Sequence, residues 1–308
     1  MTAGTIIEDA HYLIGALEEG EVISGEATTT SLRMLNNIVK SWMTQGYHRF
    51  LKQEVVIPLI AGQARYLLGN ASTDAHWADE NDFFTTQLNG ALVAGDSSLT
   101  VDSSSDMAKS DFIGIELSDG TRQWTTIKTV SSSTIVTTNA VLTGAASDNA
   151  TVYTYTTRPT RPLRILHARR RASATGSDIE VFKIADEEYQ SQPQKNTNGT
   201  PVSYNYKPLL VSGDLRVWQP PNDAKMFMRC TVEKQVVGFA TVSSTGDFPD
   251  EWTQALTYSL AHALEPQFAV LDISRRNNLR DMAMMYLEQV KTFDMDTGSV
   301  RFRPRKWS

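Results

Sequence analysis

Helical periodicity is confined to the two ends of this 308-residue chain, and the long stretch between them alternates with the period of a strand. Near the start, Thr5–Glu18 places Ile7, Ala10, Ile14 and Leu17 on one face. A second helix is expected over about Ala27–Gln45, where Leu32, Leu35, Ile38, Val39 and Trp42 recur at three and four and Gly46 offers a left-handed stop. Near the end, Asp247-Phe248-Pro249-Asp250 resembles an N-terminal cap and opens a helix through Trp252, Leu256, Leu260 and Leu264, which Pro266 kinks or ends. A last helix is expected from Ile273 to Phe293 on Leu279, Met282, Met285, Tyr286, Gln289 and Phe293. Two helices at each end of a β-rich middle predict an α+β fold in which a four-helix bundle forms from the N- and C-terminal helices.

Within the middle, Glu54–Ile60 and Ala64–Leu68 flank Ala61-Gly62-Gln63 and read as a hairpin. Composition then shifts. Residues Asn70–Thr157 are rich in Ser, Thr, Asp and Gly, with short alternating runs at Ser98–Val101, Ile113–Leu117, Trp124–Val130 and Thr134–Thr138. With turns at Ala94-Gly95-Asp96 and Ser118-Asp119-Gly120, this is expected to be an inserted all-β sandwich or barrel of about six strands. Strands return at Leu163–Ala168, Asp178–Ile184, Val202–Tyr206, Leu215–Trp218 and Met226–Lys234, with one helical turn at Asp186–Gln190. The expected division is a body over 1–69 plus 158–297, an insertion over 70–157, and an extended arm over 298–308.

Charge follows the same division. The net charge is −6, yet the insertion holds eleven acids against Lys109, Arg122 and Lys128, leaving 24 acids and 26 lysines and arginines elsewhere. The densest basic block is Arg158, Arg161, Arg164, Arg169, Arg170 and Arg171, with no acid until Asp178. Arg164, Arg169, Arg170 and Arg171 are candidates for a subunit contact or for the lining of a DNA channel. Cys230 is the single cysteine, so no disulfide forms within the chain and an oxidising compartment is not required. The acids Glu8 and Asp9 near the start, and the lack of any run near the roughly 20 apolar residues of a membrane span, predict neither a signal peptide nor a membrane anchor.

Catalytic patterns are sparse. No two glycines are separated by a single residue, and the P-loop spacings Gly15/Gly20, Gly20/Gly25 and Gly90/Gly95 are followed by Glu21, Glu26 and Asp96, where an acid repels phosphate. His11, His48, His76, His167 and His262 are scattered, which gives no metal-ligand spacing. Gly95-Asp96-Ser97-Ser98 superficially matches a hydrolase serine turn but reads as a tight turn in a β module. Glu8/Asp9, Asp250/Glu251 and Glu265 are the carboxylates a glycosidase could use, although the two pairs sit where helix dipoles favour acids. Trp124, Tyr153 and Tyr155 could stack sugars or fill a β core. No catalytic, metal or cofactor residues are assigned, and no cofactor is expected.

Beyond the last helix, Gly298–Ser308 alternates cations with rings: Arg301, Phe302, Arg303, Pro304, Arg305, Lys306 and Trp307, with no acid among them. So short a segment cannot pack a core of its own, and its chemistry suits docking on a partner.

Several segments, taken in order, resemble the head-to-tail adaptor proteins of short-tailed bacteriophages, also called tail accessory factors. Thr5-Ile6-Ile7-Glu8-Asp9-Ala10, Leu32-Arg33-Met34-Leu35-Asn36 and Trp42 are similar to the family's opening. Ile57–Tyr66, Gly199-Thr200-Pro201 with Tyr204 and Tyr206, and Leu215–Pro220 are similar to its central strands. Phe248-Pro249-Asp250-Glu251-Trp252, Ala255-Leu256, Leu260-Ala261 and Glu265-Pro266 resemble its penultimate helix. The insertion departs from the shortest members, and Thr200 stands where the family's middle motif carries arginine. The resemblance implies a virion protein at the head-to-tail interface, made in the host cytoplasm, that forms a ring of about twelve copies beneath the portal protein. It implies a C-terminal arm docked on the portal through Arg301–Trp307. Tail nozzle and fibre proteins would attach below, and packaged DNA would pass through the channel without sequence-specific binding. Two other readings remain open at this point: a virion peptidoglycan glycosidase, and a carbohydrate- or fibre-binding module centred on the insertion.

Overall fold

The computed structural model describes residues 1–18, 20–45, 49–70, 75–172, 176–223, 225–268 and 271–293. Along the chain run α1 (Ala3–Ile14), α2 (Gly25–Gln45), β1 (Lys52–Pro58), β2 (Arg65–Leu68), β3 (Ala78–Asp79), β4 (Phe84–Gln87), β5 (Ser98–Thr100), β6 (Phe112–Glu116) and β7 (Arg122–Val130). Then come β8 (Ile135–Thr138), β9 (Thr151–Tyr155), β10 (Arg164–Arg171), β11 (Ile179–Glu180), β12 (Phe182–Lys183), α3 (Asp186–Ser191), β13 (Ser203–Pro208), β14 (Gly213–Trp218), β15 (Phe227–Glu233), α4 (Thr253–Phe268) and α5 (Ile273–Phe293). These elements fall into two compact units, Met1–Leu51 with Val236–Ser308, and Lys52–Gln235.

In the helical unit, α1 begins where the Thr2 hydroxyl accepts from the Thr5 N–H and ends at Gly15, whose φ of 71° closes the C-cap. Its first amides are satisfied from outside the helix: Ala3 donates to the Ser244 carbonyl and Gly4 to that of Val242. Asn36 on α2 ties down the neighbouring segment, donating to the Phe239 carbonyl and accepting from the Phe239 N–H, both at 2.9 Å. Trp42, Trp252, Phe50 and Phe248 interlock with ring centroids 5.5–5.8 Å apart. Pro266 does not end α4, which runs on to Phe268. The expected stop at Gly46 lies outside the described residues.

The expected four-helix bundle does not form. Fifteen strands against five helices make the described chain mostly β, and α1, α2 and α5 each pack on α4 instead of closing a ring of four. The reason lies in α5. A bundle helix shares its core with two neighbours, but α5 buries only Leu279, Ala283 and Val290 among its described side chains, and Met285, expected on the buried stripe, is 41% exposed. So narrow a stripe serves one partner: Tyr286 meets Tyr258 of α4 at 4.8 Å, while an open groove separates α5 from α1.

The β unit holds a five-stranded sheet, ordered β11-β10-β15-β1-β3, and a four-stranded sheet, ordered β12-β13-β14-β2. Val55, Ile57, Ala168, Met228, Cys230 and Val232 from the first share a core with Tyr66, Leu68, Tyr204, Leu215 and Val217 from the second. The hairpin expected about Ala61-Gly62-Gln63 is also corrected. The turn is present, with Gly62 at φ 77°, but its arms part: β1 pairs with β15 and β3, and β2 pairs with β14. The Tyr66 hydroxyl, which accepts from the Ile60 N–H at 3.0 Å, sits between them. Splitting the arms lets Val55 and Ile57 of one sheet contribute to the same core as Tyr66 and Leu68 of the other, which a single hairpin layer could not do.

The insertion forms a six-stranded antiparallel sheet, β4-β9-β6-β7-β8-β5, whose end strands are linked by a bridge between Leu88 and Val101. The sheet closes as a small barrel around Leu99, Ile113, Ile115, Ile127, Val136 and Val152. The expected turn at Ser118-Asp119-Gly120 is present, with Gly120 at φ 83° and the Asp119 carboxylate accepting from the Thr121 N–H at 2.8 Å.

Replacing Asn36 by alanine strips two hydrogen bonds from the Phe239 backbone. Denaturant titration of Asn36→Ala is expected to show a loss of about 1–3 kcal/mol with an unchanged m-value.

Candidate docking and assembly surfaces

The arginine block lies on β10, which is an interior strand between β11 and β15. Strand alternation turns Ile165 and Ala168 into the core and sends Arg169 and Arg171 to the outer face. There Arg169 stands opposite Arg229 of β15, a like-charge pair that would repel if left alone. Acids surround it. Arg169 donates to Glu54 of β1 at 2.7 Å and lies 3.8 Å from Asp178, Arg171 donates to Asp178 at 2.6 Å, and Arg229 pairs with Glu80. Arg164 pairs with the buried Glu233, and Arg170, half-buried, lies on the core side of the strand opposite Met228. The hydrogen bond from Arg171 is the main cause that holds the Asp178 carboxyl below its ordinary range, with burial opposing and the charges of Arg171, Arg169 and Arg229 assisting. Arg164, Arg169 and Arg171, candidates for outside contacts from sequence, therefore have acid partners within the chain.

One end of the same outer face receives the barrel. Phe227 of β15 and Val56 of β1 pack against Tyr153 and Phe83. Arg122 of β7 is driven into this joint, its guanidinium 4.4 Å from the Tyr153 ring centre and 4.9 Å from that of Phe227. Glu116 lies 3.6 Å from Arg122 and accepts from the Tyr153 hydroxyl at 2.6 Å. Beside it, His76 stacks on Trp124 at 4.0 Å with planes 6° apart. His76 Nδ1 is 2.7 Å from the Tyr155 hydroxyl, and that hydroxyl accepts from Arg158 Nε at 3.1 Å, while Arg158 covers the Phe112 ring at 4.4 Å. Burial, followed by the charges of Arg158 and Arg122, pulls the His76 pKa down to about 3, so the ring is neutral at physiological pH. Burial likewise pushes Tyr155 up to about 12. The chain leaves the barrel under a further clamp, in which Asp82 accepts from the Thr156 and Thr157 amides.

Trp124, Tyr153 and Tyr155 are thus consumed in holding the barrel to the sheet. Tyr153 and Tyr155 are fully buried, and Trp124 lies over Gly114, where a Cβ would come within 2.8 Å of its ring. They form no exposed platform for sugars. The partners that complete the joint, His76, Arg122 and Arg158, were not singled out in sequence as a set.

The remaining candidates are structural in their contacts. Glu265 is buried and paired with Arg276 at 2.7 Å, and Asp250 lies 3.8 Å from the chain's amino group. Asp96 accepts from the Val93 N–H at 2.9 Å and so closes the turn that superficially matched a nucleophile. Cys230 is buried and its thiol is pushed up by desolvation. Among the described residues no three His, Cys, Asp or Glu side chains converge on a possible metal position, and no helix is long and apolar enough to cross a membrane. The arm residues Arg301, Phe302, Arg303, Pro304, Arg305, Lys306 and Trp307 lie outside the described residues.

Three of the sequence segments meet at one corner of the β unit. Gly199 N–H donates to the Pro220 carbonyl at 2.7 Å, Asn222 N–H returns to the Gly199 carbonyl at 3.0 Å, and Gly62 N–H donates to the Pro221 carbonyl at 2.8 Å. A Cβ on Gly199 would fall 2.0 Å from Gln219 Oε1, so any larger residue there has to displace the Gln219 side chain. Elsewhere in the β unit, the Tyr206 hydroxyl donates to the Pro162 carbonyl, which fixes the return of the chain from the insertion.

Two outcomes follow. Gly114→Val drives Trp124 off His76, with an expected loss of about 1–3 kcal/mol in denaturant titration. For Asp178, whose carboxyl is depressed in the folded state, the stabilisation is complete above the ordinary carboxylate range and disappears as pH falls through the folded value. The stability difference between wild type and Asp178→Asn, followed by thermal melts from neutral to acid pH, is expected to close at the acid end.

No protein-family model matches this chain, and no curated protein is similar to it at a significant level.

Proposed function

We propose that this chain is a structural virion protein, a head-to-tail adaptor that binds the portal ring, extends the DNA channel and provides the platform for tail nozzle and fibre proteins. The observation that carries the reading is the corner described above: Ala61-Gly62-Gln63, Gly199-Thr200-Pro201 and the end of the Leu215–Pro220 strand are far apart in sequence yet hydrogen-bond into one junction. Segments that resemble one family in order along the chain also form one structural unit here, which favours a shared scaffold over coincidental short matches.

In this reading the protein acts by contact and carries out no chemistry. The arginine face of β10 meets a neighbouring subunit, because charges already balanced by Glu54, Asp178 and Glu233 are cheaper to cover than free cations, whereas phosphate binding draws on cations that are free to release counterions. The barrel, clamped by Arg122 and Trp124, holds its acidic surface in a set position for fibre or other tail proteins. The arm anchors the portal by burial of Phe302 and Trp307, with its four cations guiding the encounter.

Co-sedimentation of the full-length chain with purified portal rings tests this. Wild type is expected to pellet with the rings, and a chain lacking residues 299–308 is expected to lose at least about tenfold in affinity, the scale of one buried anchor. Undiminished binding would reject the arm as the anchor.

A further inference from the structure

Two unpartnered surfaces of the fold match each other in chemistry. The first is the tip of the β13–β14 hairpin, where Leu209, Leu210 and Val211 are consecutive, Leu210 being 95% and Val211 71% exposed. The tip is braced: Leu209 N–H donates to the Ser212 carbonyl at 2.9 Å, and Val211 and Ser212 back onto Gly69. Three successive exposed aliphatic residues on a braced loop mark a contact surface. Its flank is acidic. Lys207, just before the tip, binds Asp186 at 2.5 Å, which brings the start of α3 alongside, and there Glu187 and Glu188 are exposed with no side-chain partner among the described residues.

The second surface is the groove left between α1, α4 and α5, a space of about 410 Å³ floored by Leu13, Tyr258, Leu279 and Met282. Arg275 stands on its wall. Arg276 and Arg280 next to it are engaged by Glu265 and Asp281, whereas the Arg275 guanidinium has no acid partner among the described residues.

We propose that the Leu209–Val211 tip of one copy seats in the α1–α4–α5 groove of a second copy, with Glu187 and Glu188 facing Arg275. The proposal rests on the ring reading above and names one of the contacts that would build it. Because tip and groove are different surfaces, each copy in such a contact still offers one of each, which is the head-to-tail arrangement that rings require. The C-terminal arm is the poorer occupant, since its four cations and lack of acids would set it against Arg275.

Disulfide trapping on the full-length chain tests the contact, with the buried Cys230 as a silent background. Leu210→Cys and Leu13→Cys variants, mixed and mildly oxidised, are expected to give a cross-linked dimer containing one of each. Val211→Cys with Met282→Cys serves if Leu13→Cys does not fold. Glu187→Lys with Glu188→Lys is expected to weaken self-association about tenfold in sedimentation velocity, and added Arg275→Glu chains are expected to restore it. If neither mixture cross-links while wild type still sediments as a multi-copy species, this contact is overturned and the ring stands. A wild-type chain that remains a single copy both alone and on portal rings overturns the ring as well.

Discussion

β15 has to satisfy two environments at once, and both halves of the β unit depend on it. Between β10 and β1 it turns Met228, Cys230 and Val232 inward and Phe227, Arg229 and Thr231 outward. The inward side chains dominate stability, since full burial of a Val or Met contributes about 1.5–3 kcal/mol, against roughly 0–1 kcal/mol for a partly exposed ion pair. The outward residues instead decide what can lie on the sheet. Arg229 and its acid partners keep one stretch polar, and Phe227 marks the place where the barrel lands.

At that place the chain buries charge among aromatic rings. Arg122 exchanges water for two ring faces and Glu116, an arrangement that stabilises modestly at best because desolvation opposes it. Its contribution is orientation. An apolar patch of Phe83, Tyr153 and Phe227 could slide, whereas a guanidinium held over two rings and beside one carboxylate has one good position. His76 on Trp124 and Asp82 on the Thr156 and Thr157 amides add further fixed points, so the insertion is fastened at several places beyond its two linkers.

The helices and four of the insertion's six strands, β5 to β8, were legible in sequence because period and composition are local signals, whereas β4 and β9 were not located. Pairing was not. The alternation in Glu54–Ile60 and Ala64–Leu68 identifies strands and faces, but it carries no information on which neighbour each strand takes, and the short turn between them suggested the wrong one. The arginine block was visible as a run of charge, yet its partners Glu54 and Glu233 lie 115 and 69 residues away and could not be assigned. For α5, Met285 and Leu279 read as one stripe, while the fold buries Leu279, Ala283 and Val290; Met284 and Met285 are as apolar as Ala283 yet exposed, so hydropathy alone does not single out the buried face. The joint of His76, Arg122 and Arg158 was invisible for a related reason, since cations and a lone histidine read as surface until the rings that cover them are placed.

Charge is left unbalanced in two regions. The outer face of the five-stranded sheet is neutralised by Glu54, Asp178 and, from the insertion, Glu80, whereas the rest of the insertion keeps ten acids against three cations and the arm keeps four cations against none. At physiological ionic strength such charges act over only about 8 Å. Each region therefore guides a partner only over the last stretch of its approach, and selects among surfaces already brought close. In the body, by contrast, the arginine face is balanced by its own acids, so that Glu187, Glu188 and Arg275 are left to orient a contact whose persistence comes from shape and burial.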